Sequence, residues 1–190
     1  ALERQGLDLP PEPSPKMIPL WREVGSRVEL DALQLLPKIP WDEGLKATWN
    51  VSESAAQVLL DTFVSGPIET YATHRNLPDR QGTSRLSPYL LFGQISPRQV
   101  VEAVRGTSPF GLGEGALTFL KEIGWREFAH HLLFHFPATT NHPLDSRFEQ
   151  FPWVQDDQML KAWQQGQTGI PIVDAGMREL WHTGWMHNRV

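Results

Sequence analysis

Three hydroxyls and a guanidinium fall within five residues in Thr83-Ser84-Arg85-Leu86-Ser87, with Pro88 following. From Tyr71 to Arg105 the chain carries Arg75, Arg80, Arg85, Arg98 and Arg105 against Asp79 and Glu102. A hydroxyl-rich loop in a locally basic stretch, close to a helix start, suits a phosphate or pyrophosphate. The same residues also suit a polar loop with a self-capping turn. Glu122, Trp125, Arg126 and Ala129 stand at i, i+3, i+4 and i+7, which is one helix face. An acid, a flat ring and a cation on one face can hold a planar polar ligand. They can equally form an exposed rim with a weak ion pair.

Other candidates carry less. His131 and His135 have a spacing that can bind zinc, but no HExxH motif is present. Leu132, Leu133 and Phe134 between them indicate a packed helix, and no metal is expected. Gly111 to Ala116 matches a loose dinucleotide fingerprint without the preceding strand. Glu114 would place negative charge near a bound pyrophosphate, so the segment reads as a helix-entry loop. Neither a GxSxG elbow nor a Walker loop occurs.

These groups must be positioned by a chain of 190 residues, 40% apolar and 21% charged, a soluble globular composition. The absence of cysteine excludes disulfide scaffolds, thiolate metal sites and cysteine nucleophiles together, and fits a reducing compartment. The net charge of −5 means that nucleic acid would need a local basic patch. No apolar run is long enough for a bilayer span, and the first residues do not form a signal peptide. Eight tryptophans accompany only two tyrosines, and packing is the default account of most of them.

The elements read as all-α. Pro10, Pro11, Pro13, Pro15 and Pro19 make residues 1–20 an extended interdomain linker. Residues 21–50 read as an irregular connector with Trp21, Trp41 and Trp49 as aromatic anchors. From residue 51 helices dominate. Ser52 or Ser54 can cap a helix carrying Leu59, Leu60, Phe63 and Val64. Ser96-Pro97-Arg98-Gln99 is a capping box with proline at the first helical position, and its helix stops at Gly106. A long helix runs from about Glu114 to Phe136. Another spans Asp156 or Asp157 to Gly166, and a further one opens near Pro171 and closes at Gly184. Trp185 to Val190 reads as the first turns of one more helix.

Taken in order, these motifs resemble the photolyase/cryptochrome family, specifically its helical flavin-binding domain. The matching stretches are Gly82 to Arg98, Glu122 to Phe128, Trp163 to Gly166, Gly169 to Leu180 and Gly184 to Arg189. The resemblance implies that Tyr71 and the loop Thr83, Ser84, Arg85, Leu86 and Ser87 touch the FAD phosphates and ribityl chain. Glu122 and Arg126 would line the flavin–substrate cavity, and Trp125 would stack on a flipped pyrimidine dimer whose carbonyl Glu122 hydrogen-bonds. Arg75 would contact the DNA backbone, with Arg189 also on the DNA side. Trp185 and Asn188 would lie against the isoalloxazine, Asn188 near its N5. Trp153 would be the outermost of three electron-passing tryptophans.

Met186-His187-Asn188-Arg189 is similar to class I cyclobutane-dimer photolyases. Plant cryptochromes generally carry aspartate where Asn188 stands, and a related photolyase class carries a second histidine. Phe119 departs from members that have tryptophan there. The resemblance implies light-driven dimer repair, with a cryptochrome-type blue-light sensor as the alternative. It also implies a cytoplasmic protein, monomeric at full length, with damaged DNA as partner and no membrane. Residues 51–190 would be the N-terminal part of the FAD-binding domain. An antenna domain holding a folate or deazaflavin would precede them, and the rest of the flavin pocket would follow. By itself this stretch is then expected to bind FAD weakly or not at all, and to be inactive.

Overall fold

The computed structural model describes residues 10–19, 28–108 and 110–190. Trp21 and residues 1–9 lie outside the described residues. Residues 10–19 form no helix or strand, as five prolines that fix φ and lack an N–H require.

Within the described part of the connector, residues 28–50, the chain is less irregular than its sequence indicates. A 3-10 turn spans Leu30–Leu33, and a short helix, α1, spans Glu43–Thr48. Six residues are too few to nucleate a helix alone, so α1 depends on tertiary contact. It packs on the last helix of the chain, and beside it the Trp49 indole N–H donates to the Thr183 carbonyl at 2.6 Å. Trp41, by contrast, is largely exposed and anchors nothing.

The core is built from four helices. α2 (Glu53–Val64) is capped by Ser52, whose hydroxyl accepts from Ala55 N–H at 3.1 Å, and it buries Ala56, Leu60 and Phe63. α3 (Pro67–His74) buries Ile68 and Tyr71. α5 (Pro97–Arg105) has the expected capping box and buries Val100, Val101 and Val104. α6 (Glu114–His135), about 33 Å long, buries Gly115, Ala116, Phe119 and Ile123. Phe63, Tyr71 and Phe119 meet with ring centroids 4.6–5.5 Å apart, tilted or edge-on, which is the favoured aromatic geometry. α3 and α6 approach so closely at Gly115 that a β-carbon there would overlap the Ile68 carbonyl oxygen.

Two short helices and α8 finish the frame. α4 (Ser87–Leu91) follows the hydroxyl loop directly and buries Tyr89, whose hydroxyl donates to the Asn50 carbonyl at 3.0 Å. α7 (Asp157–Gln164) is capped by the Asp156 carboxylate. α8 (Pro171–Thr183) ends at Gly184 in the left-handed region (φ +69°). The helix expected from Trp185 does not form. Residues 185–190 make an extended segment and a turn closed by Val190 N–H to His187 C=O at 3.0 Å.

The described residues contain no strand, and the fold is all-α, as the sequence predicts. The packed helix expected around His131 and His135 is not seen: Leu133, Phe134 and Phe136 are exposed, because only the first half of α6 meets the core. Nor does packing account for most tryptophans. Trp41, Trp125, Trp153, Trp163 and Trp181, five of the seven described tryptophans, are 47–72% exposed.

Candidate functional site

The hydroxyl loop owes its course to three residues. Gly82 is buried against the end of α3, where a β-carbon would overlap the backbone of His74. Arg85 turns the chain with φ +53°, a left-handed conformation uncommon outside glycine. Leu86, 1% exposed, pins the far side in the core, and its N–H donates to Ser84 Oγ at 3.4 Å. The loop thus presents its hydroxyls on one side, toward α3 and the segment after α8.

There they border a hollow of about 220 Å³, lined by Tyr71 of α3 and Arg75 at its C-terminus, by residues 83–87, and by Trp185, Met186 and Asn188. Three regions distant in sequence therefore converge on one concavity. Its two cations behave differently. Arg75 donates through Nη1 to Glu122 of α6, and that hydrogen bond holds its guanidinium above the ordinary arginine range. Its guanidinium carbon also lies 5.4 Å from the Tyr71 ring centroid. Burial pushes the Tyr71 hydroxyl up, against the pull of Arg75. Arg85 lies between two indoles, 4.7 Å from the Trp185 centroid and 5.2 Å from that of Trp49. Its Nε is buried without a hydrogen-bond partner among the described residues.

The segment after α8 is fixed by local bonds. His187, 3% exposed, accepts from Arg189 N–H at Nδ1 (3.2 Å), and its ring stands edge-on to Trp185 at 6.0 Å. Arg189 donates from Nε to Asn76 Oδ1 at 2.9 Å, which ties this segment to the end of α3.

Of the residues singled out from sequence, Tyr71, Thr83, Ser84, Arg85, Leu86, Ser87, Trp185 and Asn188 share the hollow. Arg75 joins them, and Glu122 reaches the hollow through Arg75. Arg126 does not line it: its partner is Glu127 at 2.6 Å. The i, i+4 pair of Glu122 with Arg126 is thus replaced by Glu122 with Arg75 and Arg126 with Glu127. Trp125 projects outward with its edge against Phe128 (5.7 Å). Trp153 is 71% exposed, leans on Phe151 at 4.6 Å and does not line the hollow. Sequence reasoning missed Met186 in the lining and Trp49 behind Arg85. No local pattern marks Trp49, since only the fold brings it to residue 85.

Hydroxyls, an unpartnered guanidinium N–H and an indole suit a phosphorylated ligand with a flat ring. The volume is below the roughly 300–1,000 Å³ of pockets that enclose a whole ligand. These residues therefore fit part of an FAD, its phosphate and ribityl region beside one edge of the flavin.

Residues 119–190 match the model of the FAD-binding domain of DNA photolyase. The chain is 41% identical over 189 residues to the deoxyribodipyrimidine photo-lyase of Agrobacterium fabrum, covering 98% of this chain and 40% of that one. It is also 41% identical over 153 residues to cryptochrome-1 of Arabidopsis thaliana, covering 77% and 22%. The crystal structure of a bacterial class III photolyase from Agrobacterium tumefaciens superposes with a TM-score of 0.81 at 41% identity, over 93% of this chain and 36% of that one. The chain spans about two fifths of the length of the curated photo-lyases it matches. No helix among the described residues is long and apolar enough to cross a membrane.

Proposed function

We propose, for a chain that belongs to the photolyase/cryptochrome family, that it contributes one wall of a flavin site used for light-driven repair of cyclobutane pyrimidine dimers in DNA. The convergence of Tyr71, the 83–87 loop, Trp185 and Asn188 on one hollow supports the reading most directly.

When bound, FAD supplies photochemical one-electron transfer to the dimer. The chain's own residues bind and orient. Thr83, Ser84 and Ser87 offer hydroxyls, and Arg85 an Nε–H, to phosphate and ribityl oxygens. Trp185 gives a flat apolar wall, and Asn188 an amide for the flavin edge. Glu122, held by Arg75, offers its carboxylate to the base, and Arg126 stands one turn further along α6. Preorganised polar groups of this kind act where charge develops and need no reorganisation.

The DNA side lies on α6 and the end of the chain. A dimer must leave the stack to reach a flavin, at a cost of a few kcal/mol that damage reduces. Trp125, 62% exposed, is free to stack on it. Arg189 carries the positive charge that meets the backbone, while Arg75, its side chain 14% exposed and paired with Glu122, is engaged inside the fold. Trp153, 71% exposed, is the proposed outer tryptophan of the electron path.

Met186 to Arg189 supports a class I assignment, while the solved neighbour is a class III enzyme; the repair reading does not rest on the class. The Arabidopsis relative supports a second reading, a blue-light sensor using the same hollow. Replacing the matched segment of the Agrobacterium photo-lyase with these residues separates the two readings. Blue-light repair of a dimer-containing oligonucleotide is expected. A chimera that holds reducible flavin yet repairs nothing would favour the sensor. Trp125→Ala in the chimera should weaken binding of damaged DNA by about 1–3 kcal/mol.

A further inference from the structure

We infer that Arg85, in the flavin-free chain, shields Trp185 from one-electron oxidation by a photo-excited flavin in solution. The inference does not rest on the flavin reading, since a phosphate bound to Arg85 would compensate the charge it uses.

The geometry is a cation between two rings. The guanidinium carbon lies 4.7 Å from the Trp185 centroid and 5.2 Å from the Trp49 centroid. A neutral indole attracts a cation at that distance through its ring quadrupole. Oxidation takes one electron from the indole, which passes to the photo-excited flavin, and leaves a positive charge on the ring. Attraction to the guanidinium then becomes repulsion.

The charge on Arg85 is also poorly compensated. Arg75, across the hollow, is neutralised by Glu122. No carboxylate pairs with Arg85 among the described residues, and its Nε is buried without a partner. Arg85 and Trp185 are both half-buried, so the charge acts on its neighbour with less screening than in bulk water. The backbone supports the same conclusion. Arg85 sits at φ +53°, where glycine would be unstrained, so its side chain is what the position gains in exchange. Leu86 beside it is 1% exposed and keeps the loop from turning away. Trp153 and Trp181, both exposed, have no cation over their rings among the described residues. They remain oxidisable, so the shield is selective.

The test uses the flavin-free 190-residue chain with free riboflavin as sensitiser under blue light. Oxidation at each tryptophan is read by peptide mass spectrometry. Arg85→Met and Arg85→Lys have similar bulk and differ in charge. Trp185 in Arg85→Met is expected to oxidise roughly tenfold faster than in the wild type, with Arg85→Lys close to the wild type. Trp153 and Trp181 should be unchanged in all three. Equal Trp185 rates in Arg85→Met and the wild type would overturn the inference. So would Arg85→Lys oxidising as fast as Arg85→Met, which would make the protection steric. If Arg85→Met loses its helical circular dichroism, Arg85→Gln takes its place with the same two outcomes.

Discussion

Arg75, which caps the C-terminus of α3, and Glu122 of α6, 47 residues apart in sequence, form an ion pair between the helical core and the hollow. The Arg75 side chain is only 14% exposed and that of Glu122 32%, so the arginine is the member that cannot turn to water. One contact therefore has two roles. It locks α3 to α6, and it fixes the carboxylate proposed to meet the dimer.

Removing that carboxylate should cost stability. In Glu122→Gln the Arg75 guanidinium stays mostly buried without a counter-charge. Breaking a fully buried pair costs about 3–5 kcal/mol, and the partial exposure of Glu122 reduces the expected loss to about 1–3 kcal/mol. Urea unfolding of the two chains reads the difference directly.

Asp174 on α8 makes stability depend on acid. Its carboxylate, 8% exposed, accepts from Thr168 Oγ1–H and N–H, both at 2.7 Å, and from Gly169 N–H at 3.0 Å. The Thr168 side chain first, then the backbone bonds and Arg178, hold it below its ordinary value of 3.8 against the opposing effect of burial. A lowered folded pKa gives stability that is present above 3.8 and lost as pH falls through the folded value. Below about pH 4 the wild type should lose stability more steeply than Asp174→Asn in parallel denaturation series.

Capping separates two serines that sequence leaves equivalent. Ser52 accepts from Ala55 N–H, while Ser54 lies inside α2. Ser52→Ala and Ser96→Ala should each cost about 1 kcal/mol, and Ser54→Ala within roughly 0.5 kcal/mol of nothing. Thermal or urea midpoints of the three variants check the order.

Gly115 is required by the approach of α3 to α6. Gly115→Ala would normally favour a helix, yet its β-carbon would overlap the Ile68 carbonyl. The variant should lose about 3 kcal/mol, the cost of a strong overpacking, where helix propensity alone would give a gain of about 1 kcal/mol. The sign of the change in the unfolding midpoint decides between the two.

Local signals made the longer helices legible. The Ser96–Gln99 box, the length of α6 and the Gly184 stop each sit within a few residues and were read from sequence. α1 and α3 were not, because six and eight residues carry little periodicity and depend on packing against α8 and α6. The hollow was legible through the 83–87 loop, Trp185 and Asn188, which sit in long ordered motifs. Its electrostatics were not. Helical spacing suggests Glu122 with Arg126, and only the fold brings in Arg75, which leaves Arg126 to Glu127. Arg85 between Trp49 and Trp185 is likewise a contact that no spacing rule reaches.

The flavin assignment of the hollow meets its most direct test in fluorine NMR of the chain labelled with fluorotryptophan, its eight indoles assigned by single Trp→Phe variants. FAD is added to about millimolar concentration, since a pocket formed by one wall binds weakly. The Trp185 resonance is expected to shift in a saturable way while those of Trp153 and Trp181 stay in place. A Trp185 resonance that does not move, or a saturable shift confined to Trp153 and Trp181, would contradict the account.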